Sequence, residues 1–146
     1  MKSLSKPANS AAKFVSLNGH KQWLLIKAFG ALATYKGLLL IFPFNTFLKP
    51  TRKPAQSAEA LSAELLTDSV WAIQVVSARI PLGFTCLVQA LSAKRLLHNH
   101  PDVRICIGVQ KNEQQAFSAH AWVVHKDKII LGEQASQVFE PILDWN

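Results

Sequence analysis

Phe117-Ser118-Ala119-His120-Ala121-Trp122-Val123-Val124-His125, then Lys126-Asp127, then Lys128-Ile129-Ile130-Leu131-Gly132-Glu133, reads as two strands joined by a tight turn. The first strand alternates: Phe117, Ala119, Ala121 and Val123 project one way, and Ser118, His120, Trp122 and Val124 the other, so His120 and Trp122 share a face. Lys126-Asp127 has turn character and Ile129-Ile130-Leu131 resumes a strand, which makes the segment a hairpin. With a two-residue loop His125 pairs with Lys128, and counting outward places Glu133 directly opposite His120.

Opposed side chains in an antiparallel pair have Cβ atoms roughly 4.5–5.5 Å apart, close enough for a Glu133 carboxylate to accept a hydrogen bond from the His120 ring and fix its tautomer. Asp127 is less suited, because the length of the strand separates the turn from His120. A three-residue loop would shift the register and put Gly132 or Gln134 opposite His120, whereas a four-residue loop from His125 to Lys128 would restore Glu133.

Upstream of the hairpin, Val103, Ile105, Ile107 and Val109 alternate with Arg104, Cys106 and Gly108, a strand with one buried face. Before it, the segment from Thr85 to Leu97 is helical, with Leu87, Ala90, Leu91 and Leu97 on one face and Lys94 and Arg95 in the last turns. Thr85 is the expected N-cap, which puts Cys86 at the first helical position. A thiol is a useful nucleophile at neutral pH only when its thiolate is favoured, and a helix N-terminus and a nearby imidazole both favour it. The first backbone N–H groups of such a helix also suit a developing oxyanion. Cys106, inside a strand with no base nearby in sequence, reads as structural.

A further helix is expected from Ala58 to about Ala78, capped by Ser57, with Leu61, Leu65, Leu66, Val70 and Ile73 on its apolar face and Pro81 and Gly83 ending it. Pro50, Lys53, Pro54 and Ser57 mark a polar break before it. The expected organisation is therefore a basic, apolar helical segment over residues 1–56 and a core over residues 57–146, compact together as one domain, since 146 residues at 49% apolar content support one modest core.

The first 56 residues hold nine of the sixteen Lys and Arg and no acid, so the net charge of +7 is an N-terminal property. Trp23 to Leu48 is strongly apolar, but Lys27 and Lys36 divide it and Pro43 breaks it, so it is expected to fall short of a transmembrane helix. Beyond a core helix with solvated lysines, such a segment suits an anionic lipid surface, an acidic peptide or a partner protein. Nucleic acid is not expected as a partner, because no Arg-rich or recognisable DNA-binding motif is present. His98 and His100 lie in a polar turn without a surrounding ligand set, and no phosphate-binding glycine loop occurs, so neither metal nor cofactor is expected. Two cysteines and no obvious cleavable signal peptide point to a reduced, cytoplasmic setting with Cys86 and Cys106 unpaired.

A Cys opening a helix, then a strand carrying His, then a hairpin partner carrying a carboxylate is the order of the papain-like and transglutaminase-like fold. The expected class is α+β: N-terminal helices, then a Cys-bearing helix packed on an antiparallel sheet. The sequence also resembles the stand-alone B2 leader peptidases of lasso peptide biosynthesis. The resemblance rests on Cys86-Leu87 with Ala90-Leu91, on Ile107-Gly108-Val109, on Phe117 and Ala119-His120-Ala121-Trp122-Val123, and on Gly132-Glu133. It covers roughly residues 60 to 140 closely, and the N-terminal part only in length and character.

The resemblance implies a cytoplasmic cysteine peptidase that removes the leader from a ribosomally made precursor peptide, so that a macrolactam cyclase can act on the freed core. It implies Cys86 as nucleophile and His120 as general base and acid. Relatives commonly carry Asp in the third position; Glu133 departs from that and comes one residue later relative to His. Trp122, on the face of His120, is a candidate substrate-binding residue or a packing residue. The leader-recognition module fused to some relatives would be a separate B1-type protein. Two other readings are a transglutaminase-like acyltransferase that uses an amine in place of water, and a non-catalytic peptide-binding adaptor.

Overall fold

The computed structural model describes residues 8–43, 46, 60–98, 100–111, 117–132 and 140–145. Four helices precede four strands: α1 (Ala8–Val15), α2 (Gly19–Ile41), α3 (Ala63–Arg79), α4 (Cys86–Leu96), β1 (Val103–Lys111), β2 (Phe117–His125), β3 (Lys128–Leu131) and β4 (Glu140–Trp145). The α+β class and the helix-on-antiparallel-sheet arrangement are those expected from the sequence.

The sheet runs β3-β2-β1-β4, with every pairing antiparallel. Ile105 faces Val123 and Ile107 faces Ala121 across β1 and β2, and all four belong to or pack on the hydrophobic core. The helices α2, α3 and α4 contact one another, and α4 packs on β1 and β2. Thus α4 lies between the helical layer and the sheet, and six of its eleven residues are buried: Val88, Ala90, Leu91, Ser92, Ala93 and Lys94. Burial lowers the pKa of the Lys94 ammonium by stripping its hydration. Ser92 is accommodated because its hydroxyl donates to the Val88 carbonyl one turn back, at 2.7 Å.

Several boundaries differ from the sequence reading. The third helix starts at Ala63 rather than Ala58, and its cap is Ser62, whose side chain accepts from the Leu65 N–H at 3.1 Å. Ser57 lies outside the described residues. Ser62 places Glu64 in the first turn, where the helix dipole favours an acid. The strand β4 was not anticipated: Pro141 argues against a strand, yet it is tolerated because β4 is an edge strand, beside a register shift between Ile107 and Gly108.

The lysines that divide the apolar N-terminal run do not interrupt its helix. Lys27 and Lys36 sit within a single helix of 23 residues, long and apolar enough by length and composition to cross a membrane, with a mean hydropathy of 1.6 over its most apolar 18-residue window. The helix stops at Ile41, two residues before Pro43, as the backbone restriction preceding proline dictates. Its inner face gives Leu24, Leu25, Ala28 and Leu32 to the core.

Candidate active site

Cys86 is the first residue of α4. The Thr85 side chain accepts from the Val88 N–H at 3.4 Å, and the Thr85 carbonyl accepts from the Gln89 N–H at 3.0 Å, so the helix start is closed on both sides. The loop before it is held from two directions. Gln89 Nε2 donates to the Phe84 carbonyl at 3.1 Å. Lys36, reaching across from α2, donates to the Gly83 carbonyl at 3.2 Å and lies over the Phe84 ring at 5.9 Å. Gly83 has φ of +63°, a left-handed turn that glycine adopts without a Cβ penalty. Cys86 is half-buried against the core, with its thiol free, and its first-turn position leaves the local N–H groups without intrahelical acceptors.

His120 lies in β2 and stacks with Trp122, ring centroids 6.1 Å apart and planes at 23°, as expected for neighbours on one strand face. The His120 Nε2 is 2.6 Å from the Gly132 carbonyl oxygen. Because a carbonyl only accepts, Nε2 carries the proton in this contact, which leaves Nδ1 as the basic nitrogen of the neutral ring. A backbone oxygen therefore holds the Nε2 proton in place.

The reason lies in the hairpin register. Lys126 and Asp127 both have positive φ, +46° and +65°, and form the two-residue turn without glycine. Arg104 donates to Asp127 Oδ1 at 2.8 Å and ties the turn to β1. His125 pairs with Lys128 and Val124 with Ile129, as counted, but the register shifts by one between Val124 and Val123, which pairs with Leu131. Past that shift β3 ends, and Gly132 turns so closely over β2 that a Cβ there would stand 2.9 Å from the Ala121 oxygen. Glu133 itself lies outside the described residues.

The structure brings the helix of Cys86 into contact with the strand of His120. It does not join their side chains: alternation turns Ala121 and Val123 into the core beneath α4 and His120 and Trp122 to the opposite face. No hydrogen bond to the Cys86 thiol is formed among the described residues. Cys106 is buried in the middle of β1, opposite Trp122 and, on the other side, the backbone of Asp144. An open groove of about 870 Å³ lies between α2, α3 and the far end of α4, lined among others by Trp23, Lys27, Tyr35, Leu65, Arg95 and His98.

Gly132 and Lys36 are the positions that sequence reasoning passed over. The glycine was legible as an alternative register, but nothing local to Lys36 announces a contact 47 residues away.

A helix opened by a capped cysteine and packed on an antiparallel sheet whose second strand carries a tautomer-fixed histidine defines a transglutaminase-like domain. The family model of the transglutaminase-like superfamily matches residues 31–144, and the chain belongs to that superfamily. The match begins inside α2 and runs through β4. No curated protein and no solved structure matches the chain. Members of this superfamily include cysteine peptidases and acyltransferases.

Proposed function

We propose that this protein is a cytoplasmic cysteine peptidase that removes the leader from a lasso precursor peptide before macrolactam formation, working with a separate B1-type leader-recognition protein and a cyclase. The observation that carries the reading is the capped start of α4, which sets Cys86 at a first turn whose N–H groups lack intrahelical acceptors, in a chain of this superfamily. The resemblance through Cys86-Leu87, Ala119-His120-Ala121-Trp122-Val123 and Gly132-Glu133 supports the finer assignment of substrate.

In this mechanism the Cys86 thiolate attacks the scissile carbonyl, whose oxygen takes up charge beside the α4 N-terminus. His120, holding its Nε2 proton on the Gly132 carbonyl, uses Nδ1 to take the thiol proton and give it to the leaving amine. It then activates water to release the leader acid. Glu133 is proposed as an auxiliary orienting carboxylate and Trp122 as part of the peptide cleft. The reading requires His120 to come within hydrogen-bond reach of the thiol in the substrate complex, as catalytic pairs that are loose in the free enzyme do.

The test needs no substrate: rates of iodoacetamide labelling at Cys86 and Cys106, located by peptide mass spectrometry, in wild type and His120→Ala. Faster labelling at Cys86 that falls in the His120 variant is the expected result. Slow labelling of Cys86 that ignores His120 rejects the thiol–imidazole pair. That outcome favours the second reading, a non-catalytic peptide-binding adaptor, which the separate faces of Cys86 and His120 already give some footing. Incorporation of an added amine in place of water would instead identify an acyltransferase.

A further inference from the structure

We propose that the outer face of α2 lies flat on an anionic lipid bilayer, an interaction independent of the catalytic reading. Apolar side chains occur on every side of the helix, interrupted by Lys21, Lys27 and Lys36. Yet the protein covers one side only: Leu24, Leu25, Ala28 and Leu32 are buried, while 22% of its most apolar window is buried in all. Trp23, Ile26, Gly30, Ala33, Gly37 and Leu40 recur at alternating spacings of three and four and so form one uncharged outer stripe. Trp23 is 57% exposed, Leu40 79% and Ile41 74%. Most of the large apolar side chains left in solvent belong to α1, α2 and Phe42, with Leu82 and Ile129 the exceptions among the described residues.

Charge selects lipid as the occupant. The first 56 residues carry nine Lys and Arg and no acid, so an anionic surface is attracted along the whole segment. Lys27 lies over the Trp23 ring at 5.6 Å, a cation beside an amphipathic ring at the border of the stripe, as at the level of lipid headgroups. Lys13 on α1 is exposed nearby in sequence. From Trp23 to Leu40 the stripe is about 26 Å long at 1.5 Å per residue, a footprint for a surface. Crossing the bilayer instead would pull four core side chains out of the protein and carry Lys27 and Lys36 into hydrocarbon. Lying in the interface keeps the inner face packed and covers the outer one.

The experiment is flotation of the full chain with vesicles of phosphatidylcholine and phosphatidylglycerol at 3:1, against pure phosphatidylcholine. The variant Ile26→Gln/Leu40→Gln/Ile41→Gln changes only side chains more than half exposed, and circular dichroism melts check that its fold is kept. The expected result is binding to the anionic vesicles, lowered roughly fivefold by each of Lys13→Gln and Lys27→Gln and more than roughly tenfold by the triple variant. Absence of flotation with anionic vesicles, or binding untouched by the triple variant, overturns the proposal. Sedimentation that shows a dimer lost in the triple variant, without vesicle binding, assigns the stripe to a second copy of the chain and also overturns it.

Discussion

The two cysteines sit in opposite backbone settings. Cys86 opens α4, half-buried, where the first turn leaves N–H groups without intrahelical acceptors; Cys106 sits in mid-strand, buried, where paired strands on both sides use the backbone. The same side chain is thus given a half-buried place at a helix start in one region and an enclosed one in the other. On the proposed mechanism reactivity follows element ends, and the contrast sharpens into measurable differences.

The largest is at the proposed nucleophile. With cleavage of a lasso precursor peptide followed by mass spectrometry, Cys86→Ala should lose roughly 10⁴-fold or more in rate, the scale of removing a catalytic nucleophile. Cys106→Ala should leave the rate within about threefold and appear instead as a loss of roughly 1 kcal/mol in thermal stability, from the void it leaves in β1. Equal effects of the two substitutions on rate would erase the distinction between helix start and strand centre.

Next is Gly132→Ala. The residue has φ of +85°, and the new Cβ would meet the Ala121 oxygen at 2.9 Å and Trp122 at 3.2 Å, backbone and Cβ atoms that cannot swing aside. The chain past β3 must shift, taking with it the carbonyl that holds His120 Nε2. The expectation is a loss of roughly 2 kcal/mol in stability and of at least about tenfold in cleavage rate, with a changed His120 ring resonance by NMR as the direct readout. Unchanged His120 resonances would show that the carbonyl does not orient the ring.

How much of this was legible follows from how local each signal is. The Thr85 cap with Cys86, and the alternation of Phe117 to His125, are encoded by immediate neighbours, and both elements begin where the sequence put them. The strand β4 was not legible, because Glu140-Pro141-Ile142-Leu143-Asp144-Trp145 offers two aliphatic residues behind a proline and acquires strand structure only by pairing with β1. The start of α3 was misplaced because Ser57 and Ser62 are both competent caps and local chemistry does not choose between them. The Gly132 carbonyl contact on His120 was not legible because a one-residue shift between Val123 and Val124 is a packing outcome of the sheet, invisible in a hairpin count. Lys36 was read as solvated although its ammonium reaches Gly83, since its partner comes from a distant turn.

The smallest effect probes the helix start itself. Thr85→Ala removes the side-chain acceptor of the Val88 N–H, a long bond at 3.4 Å, and should cost about 0.5–1 kcal/mol by thermal melting, the low end for a cap because the Thr85 carbonyl still accepts from Gln89. Frayed, the first turn aims its N–H groups less consistently, so iodoacetamide labelling at Cys86 should slow by a few-fold while Cys106 is unaffected. Thr85→Ser keeps the acceptor and should restore both quantities. A labelling rate that follows neither substitution would mean that Cys86 owes its behaviour to its exposure alone and that the helix terminus contributes nothing to it.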